Sequence, residues 1–298
     1  MRRPLTWLVP AGAVAMPLVA IADRLQLLGP DVGTVSARTP TLLDAAGYAF
    51  AIWGVIFALD LGFAVWQATR LRRADAGLAR MRPGAALAFW ASAAWMPAFS
   101  QQAFEFAFVL ILLALLGAVQ AALAAARAPA DSMAGHWPAR WALGLHAGWL
   151  LLATLLDAAQ LAVARGWVDN RAMLAPTLAL WAGGAVALVV LNRRLRAHPA
   201  LPIAALWGLA GVVAAQGDAL LPGAQASAIA AGAVAALLFV QSTLLLWRER
   251  DRIGLRNALA GSIRRTQPVS VMPSRTPRSL PPRTVRARRN DPAERKRA

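Results

Sequence analysis

One long apolar segment of the chain carries a stripe of aromatic and ionisable residues. His146, Trp149, Ala153 and Asp157 are spaced by three or four residues. A helix turns about 100° per residue, so these side chains fall on one face. Ionisable groups at bilayer depth are costly when they face lipid, and they therefore face a bundle interior or water. The residue types favour binding of a flat, largely apolar ligand, and they are also compatible with proton transfer.

Two earlier apolar segments carry similar stripes. These contain Trp53, Phe57, Asp60, Ala64 and Gln67 in the first segment and Ser92, Trp95 and Phe99 in the second. If the three stripes face one another, they enclose a cavity with aromatic walls and a few polar groups. The candidate ligand-binding residues are Trp53, Phe57, Trp95, Phe99, His146, Trp149, Ala153 and Asp157. Asp60 and Asp157 form a candidate proton relay.

The same residues have structural alternatives. Asp60 and Asp157 would then be protonated and hydrogen-bonded to a neighbouring helix, and the deep tryptophans would only pack. His146 could ligate a haem iron, although a lone histidine inside a membrane is more often a hydrogen-bonding residue. The chain has no Cys, which excludes thiolate metal sites, and no metal site is predicted.

The composition shows which elements position these stripes. Of 298 residues, 58% are apolar and 15% are charged, whereas a soluble domain is about half apolar and about a quarter charged. The apolar residues run in stretches of about 20, long enough to span a bilayer. The prediction is an all-α, polytopic membrane bundle. Its eight transmembrane helices are predicted at 5–28, 45–68, 85–102, 103–126, 139–164, 173–195, 201–216 and 224–247.

Arginine placement predicts the orientation of these helices. With the N-terminus inside, the predicted inside segments hold 27 basic residues and the outside segments hold four. Cytoplasmic loops collect basic residues, so this distribution favours an N-in, C-in topology. Cleavage of a signal peptide after residues 20–22 is an alternative, and it would leave seven helices. Gly183-Gly184, Gly208 and Gly211 in the late helices are predicted to be close-packing positions.

The last part of the chain differs in character. Residues 248–298 hold 15 basic and four acidic residues, and residues from 264 onward are rich in Arg, Pro, Ser and Thr. This composition cannot bury a core, so a disordered cytoplasmic tail is predicted, with contact to anionic lipid as its functional alternative. No aromatic platform accompanies the charge, and specific nucleic-acid binding is not expected.

Three segments resemble the TspO/MBR family, which comprises the translocator protein and the tryptophan-rich sensory proteins. They are residues 45–57, 92–99 and 146–157, within a match covering roughly 5–165. The chain departs from the family pattern at several positions. Ala45-Ala46 replaces a proline pair, Ser92 replaces Asn, His146 replaces Tyr, and Asp157 replaces Asn.

The resemblance implies a TspO-like five-helix domain at 1–168, three additional transmembrane helices at 169–247 and the tail at 248–298. It implies a bound porphyrin or other tetrapyrrole, haem included, or a lipid, for sensing or transport and without catalysis. A homodimer is a further expectation. Thirty of the 31 basic residues are Arg, a composition that suggests a GC-rich bacterial genome, and a multi-pass protein of the bacterial inner membrane is expected. The functional alternatives are a proton-coupled small-solute transporter and a non-catalytic membrane partner protein.

Overall fold

The computed structural model describes residues 3–128, 133–169, 172–196 and 198–266, with the backbone alone for 3–4, 133–135 and 252–266. These ranges contain nine α-helices, one 3₁₀ helix and no strand, which confirms the all-α prediction. The α-helices are α1 (Arg3–Arg24), α2 (Val32–Arg38), α3 (Ile52–Ala68), α4 (Ala76–Ser100), α5 (Phe104–Ala126), α6 (Met133–Ala164), α7 (Leu174–Arg194), α8 (Ala200–Gly217) and α9 (Ala224–Thr266). The 3₁₀ helix, Gly47–Ala51, leads directly into α3.

Among the described residues, seven helices are long and apolar enough to cross a membrane, namely α1, α3 and α5–α9. The chain is therefore a multi-pass membrane protein, as predicted. The remaining predicted span, 85–102, corresponds to α4, which has 25 residues but is not among these seven. It carries Arg80 and Arg82 near its start, and most of its later residues are buried against other helices. A helix covered by protein does not need a lipid-compatible surface.

Helix α4 occupies the centre of the first half of the bundle. The Asp75 carboxylate caps its first turn by accepting a hydrogen bond from the Leu78 N–H at 3.1 Å. Helix α4 packs against α1 and α5, while α6 packs against α3, α5, α7 and α8. A turn of three residues, 101–103, separates α4 from α5, at the position where the sequence predicts almost no break.

Small residues bring α4 and α5 into very close contact. A Cβ added to Gly117 would lie 2.6 Å from the carbonyl oxygen of Gly84 and 2.7 Å from the amide nitrogen of Ala88. Close backbone approach through small residues is a usual way to pack helices in membranes, where lipid competes equally well for apolar surface. This contact keeps α4 in a fixed position beside α5.

A buried arginine joins three helices at one end of the bundle. The Arg82 guanidinium, 2% exposed, donates hydrogen bonds to the Gln67 side chain at 2.7 Å and to the carbonyls of Gln67, Arg72 and Arg73. Gln67 in turn donates to the Thr6 carbonyl at 3.0 Å. A cation at the C-terminal end of α3 also interacts favourably with the helix dipole. These bonds connect α1, α3 and α4.

Several element boundaries differ from the predicted spans. A short helix, α2, lies in the predicted loop after α1. It begins at Val32 because the Asp31 side chain caps it by accepting a hydrogen bond from the Thr34 N–H at 3.1 Å. The predicted second span begins as a 3₁₀ helix, and α6 and α9 are longer than their apolar cores. Local capping and polar helical extensions are not visible in a hydropathy pattern.

The chain divides into two compact units, Met1–Asp251 and Arg252–Ala298. In the first unit α8 packs along α6, although the predicted division near residue 168 stays a prediction. In the second unit the backbone is helical through Thr266. Residues 267–298 lie outside the described residues, and the disorder and lipid contact predicted for the tail stay predictions.

We expect Gly117→Ala to destabilise the bundle by about 1–3 kcal/mol, because the added methyl group meets backbone atoms of α4 that cannot move independently. Thermal unfolding of the purified protein in detergent measures the effect. Gly62→Ala is the matched control, since an added Cβ at Gly62 meets nothing within 4 Å. Equal unfolding temperatures for the two variants would contradict the proposed close contact.

Candidate functional site

The stripes of α3, α4 and α6 meet inside the bundle. Asp60, Ser92 and His146 have no exposed surface. Trp95, Phe99, Trp149, Asp157 and Gln160 are at most 6% exposed, and Trp53, Phe57 and Ala153 are half-buried. All three helices therefore bury the stripe that their periodicity predicts to face inward.

A buried polar contact joins the three helices at one level. The Asp60 Oδ2 atom of α3 lies 2.8 Å from the His146 Nδ1 atom of α6, without the alignment of a linear hydrogen bond. The His146 Nε2 atom lies 3.3 Å from the Ser92 hydroxyl of α4. The Phe89 ring stacks on the imidazole, with centroids 5.8 Å apart and planes at 10°. Both ring nitrogens of His146 therefore face protein groups.

A second set of polar contacts lies near the end of the bundle that contains α2. The Trp95 indole N–H donates to the Asp157 carboxylate at 2.6 Å. The Gln160 amide donates to the Ser36 hydroxyl at 2.5 Å, which attaches α2 to α6. Asp157 thus has a partner on α4, and α2 is held over the end of the aromatic stripes.

An inner cavity lies between these contacts. Its aromatic walls are Phe50, Trp53, Trp95, Phe99 and Trp149, and its polar groups are Ser36, Asp157 and Gln160. Its volume is about 30 Å³, room for about one water molecule. The rings make edge contacts, with the Trp53 and Trp149 centroids 6.1 Å apart at 81°. The indole N–H of Trp149 is buried and has no acceptor among the described residues.

An outer cavity of about 520 Å³ adjoins the inner one. Phe50, Trp53 and Trp95 line both, so these aromatic side chains stand between the two compartments. The outer cavity also includes Phe57 and Met96. Its volume is in the range of known small-molecule sites, and its rim carries ionisable groups. These are Asp23, Arg24, Asp31 and Asp44.

Each rim carboxylate accepts hydrogen bonds from its own neighbourhood. Asp23 accepts from the Ser100 hydroxyl at 2.5 Å, and Asp31 accepts from the first turn of α2. Asp44 accepts from the Thr41 N–H at 2.8 Å and from the Thr41 hydroxyl at 2.7 Å. Burial nevertheless raises the pKa of Asp44 to about 6, against the opposing effect of these hydrogen bonds.

Most of the predicted site residues line one of the two cavities, and two of them do not. Trp53, Trp95, Phe99, Trp149, Ala153 and Asp157 line the inner cavity, and Phe57 lines the outer one. His146 and Asp60 line neither cavity. Because both imidazole nitrogens face Asp60 and Ser92, His146 does not fit the axial position of a haem in this cavity. Among the described residues, no group of three or more His, Asp or Glu side chains could hold a metal ion.

Helix α8 also contributes to the site, although none of its residues is among the predicted site residues. Gly208 and Val212 line the inner cavity. A Cβ added to Gly208 would lie 2.6 Å from a Leu152 methyl group, and one added to Gly211 would lie 2.6 Å from the Ala49 Cβ. Both glycines are therefore close-packing positions, as predicted. The two glycines indicate that α8 packs closely against other elements, but they do not identify α6 and the 3₁₀ helix as its partners.

Helix α8 also holds the loop that precedes α3. The Gly211 carbonyl accepts a hydrogen bond from the Ala46 N–H at 2.9 Å. The Gln216 side chain donates to the carbonyls of Thr41 and Asp44 at 3.2 and 3.0 Å. This loop carries Asp44 on the rim of the outer cavity, so α8 positions part of the entrance.

Comparison with known proteins gives one match. A family model described as "TSPO-like protein" matches residues 6–244. No curated protein and no solved structure gives a significant match. The matched region extends well past residue 165, the limit of the resemblance noted in the sequence. It includes α7, α8 and the apolar part of α9.

We expect the protein to become less stable as the pH rises through about 6, because Asp44 must lose a proton there in the folded state. Its unfolded pKa is near 3.8. The contribution to stability is therefore fully present below about pH 3.8, and it is lost as the pH passes the folded pKa. The difference in unfolding free energy between wild type and Asp44→Asn should change by up to about 3 kcal/mol between pH 4 and pH 7. Parallel pH profiles for the two proteins would exclude this role.

Proposed function

The chain belongs to the TSPO-like protein family, and from that premise we propose that it binds a flat, largely apolar molecule in the outer cavity against α3 and α4, with one edge reaching the inner cavity beside α6. The observation that carries the proposal is the aromatic cavity at the meeting point of the three stripes, with an outer compartment of about 520 Å³. Aromatic walls with a few polar groups are the usual composition of such a site. The family resemblance favours a porphyrin or related tetrapyrrole, and a lipid is the alternative.

The chemistry of the cavity supports an amphipathic ligand. Its apolar body would lie against Trp53 and Trp95, where ring stacking adds to the free energy of burial. The unpaired indole N–H of Trp149 offers a donor to a carbonyl or ring nitrogen. The rim carboxylates are engaged in local hydrogen bonds, so Arg24 is the rim group suited to an acidic end of the ligand, such as a propionate. The inner compartment would open only when the shared aromatic rings turn aside.

The proposed role is sensing, trafficking or transport of the bound molecule without catalysis. Placement in a bacterial inner membrane, with both termini in the cytoplasm, is part of the proposal and rests on composition and arginine distribution. A tetrapyrrole would be held by its ring face and edges and not through its metal, since His146 is engaged elsewhere.

We expect protoporphyrin IX to quench the intrinsic Trp fluorescence of the purified protein saturably. Trp149→Ala should weaken the affinity at least tenfold, because it removes a cavity wall and a hydrogen-bond donor. Ala153→Phe should weaken it similarly by filling the inner cavity. Trp247→Ala is the matched control, since Trp247 is 64% exposed near the end of the apolar part of α9. Unchanged affinity in both cavity variants, with the proteins folded, would reject this site.

A proton-coupled small-solute transporter is the second candidate function. The buried contact between Asp60 and His146 favours it, because ionisable pairs within membrane spans often relay protons. Asp157, bonded to Trp95 one turn from Ser92, would extend such a relay toward the cavity.

Proteoliposomes with an imposed pH gradient test this alternative. Gradient-dependent uptake of small solutes should fall to the protein-free level in Asp60→Asn and in Asp157→Asn. Asp218→Asn, at an exposed position after α8, is the control and should retain uptake. Uptake that is equal in all four proteins would exclude both carboxylates from coupling.

A further inference from the structure

An apolar groove separate from the ligand cavity runs along the outer surface of the bundle. Helices α5 and α7 form its sides, and α6 forms its floor. Its volume is about 430 Å³, and its lining includes Leu116, Leu123, Leu151 and Val190. It shares no lining residue with either compartment of the cavity. A groove on the outside of a membrane bundle, at the depth of the apolar helices, faces lipid.

Glycine keeps this groove open. Gly183 of α7 lines it, and an added Cβ at this position would meet nothing within 4 Å. The neighbouring Gly184 differs, because an added Cβ there would lie 2.5 Å from a Leu155 methyl group of α6. Gly184 is therefore a close-packing position, as predicted, whereas that prediction is wrong for Gly183, and the space beside Gly183 is free for an occupant.

One end of the groove is cationic. Arg194, near the end of α7, lines it, and an adjoining recess is lined by Arg80 and Arg127. The recess and the groove share Leu116 and Leu123. The three arginines are exposed, and none forms an ion pair within the part of the chain that the structure describes. All three belong to segments that the arginine distribution assigns to the cytoplasmic side.

We propose that the groove binds one anionic phospholipid, with an acyl chain between α5 and α7 and its phosphate against Arg80, Arg127 and Arg194. Guanidinium groups bind phosphate through paired, charge-assisted hydrogen bonds. Cationic pockets between helices on the cytoplasmic side are typical sites for acidic lipid headgroups. The apolar groove provides the contact surface for an acyl chain of the lipid that carries such a headgroup.

The arrangement of charge favours a lipid over a second copy of the protein. In a twofold dimer with both copies in the same membrane orientation, the arginines of both copies would lie at the same end of the interface, so their positive charges would add there. An anionic headgroup neutralises them instead. The proposal does not depend on the function proposed for the cavity.

Native mass spectrometry of the full chain, delipidated in detergent, tests the headgroup site. We expect phosphatidylglycerol to bind at least tenfold more tightly than phosphatidylcholine with the same acyl chains. The double variant Arg127→Gln/Arg194→Gln should bind phosphatidylglycerol at least fivefold more weakly than wild type does. Its affinity for phosphatidylcholine should change little. Arg193→Gln, next to Arg194 but outside the groove lining, is the control. The basic tail is present in every protein, so its contribution cancels in these comparisons.

Gly183→Leu tests the acyl-chain groove in the same assay. The leucine should fill the free space and lower the affinity for both lipids at least fivefold, while Gly62→Leu, also at an open helical position, should change neither. Equal phosphatidylglycerol affinity in wild type, the double arginine variant and Gly183→Leu would overturn the proposal. Loss of a dimer in Gly183→Leu with lipid binding intact would also overturn it, because the groove would then hold a second copy.

Discussion

The interior of the bundle depends on the contact between Asp60 of α3 and His146 of α6. Both side chains are fully buried within helices that span the membrane, and their closest atoms are 2.8 Å apart. An ionisable group at this depth costs several kcal/mol if it lacks a partner. Ser92 adds the third helix, because its hydroxyl lies 3.3 Å from the same imidazole. The rotation of α3, α4 and α6 about their axes follows from this one level of contacts.

The aromatic cavity is a consequence of that rotation. Trp95 and Trp149 lie three residues beyond Ser92 and His146, and Trp53 lies seven residues before Asp60. Because α3 runs opposite to α4 and α6 in the predicted topology, all three tryptophans lie on the same side of the polar contacts. The loop before α3 borders that end, and α8 anchors it through Gly211 and Gln216.

The sequence predicted the elements whose signal is local. Apolar stretches of about 20 residues predicted the helices, and the rotation of about 100° per residue predicted which face of α3, α4 and α6 is buried. The position of α8 and the structure of the entrance could not be predicted, because they depend on contacts distant in sequence, such as Gln216 with Thr41. The spacing between His146 and Trp149 predicts that both contact the ligand, but spacing alone cannot show that the two ring nitrogens of His146 face Asp60 and Ser92.

A crystal structure of the protein with protoporphyrin IX, grown in a lipidic phase, would show where the ligand binds. We expect density for the macrocycle in the outer compartment, against Trp53 and Trp95, with an edge close to the indole of Trp149 and with the contact between Asp60 and His146 intact. Density on the outer surface of the bundle, with the aromatic cavity unchanged, would contradict this expectation.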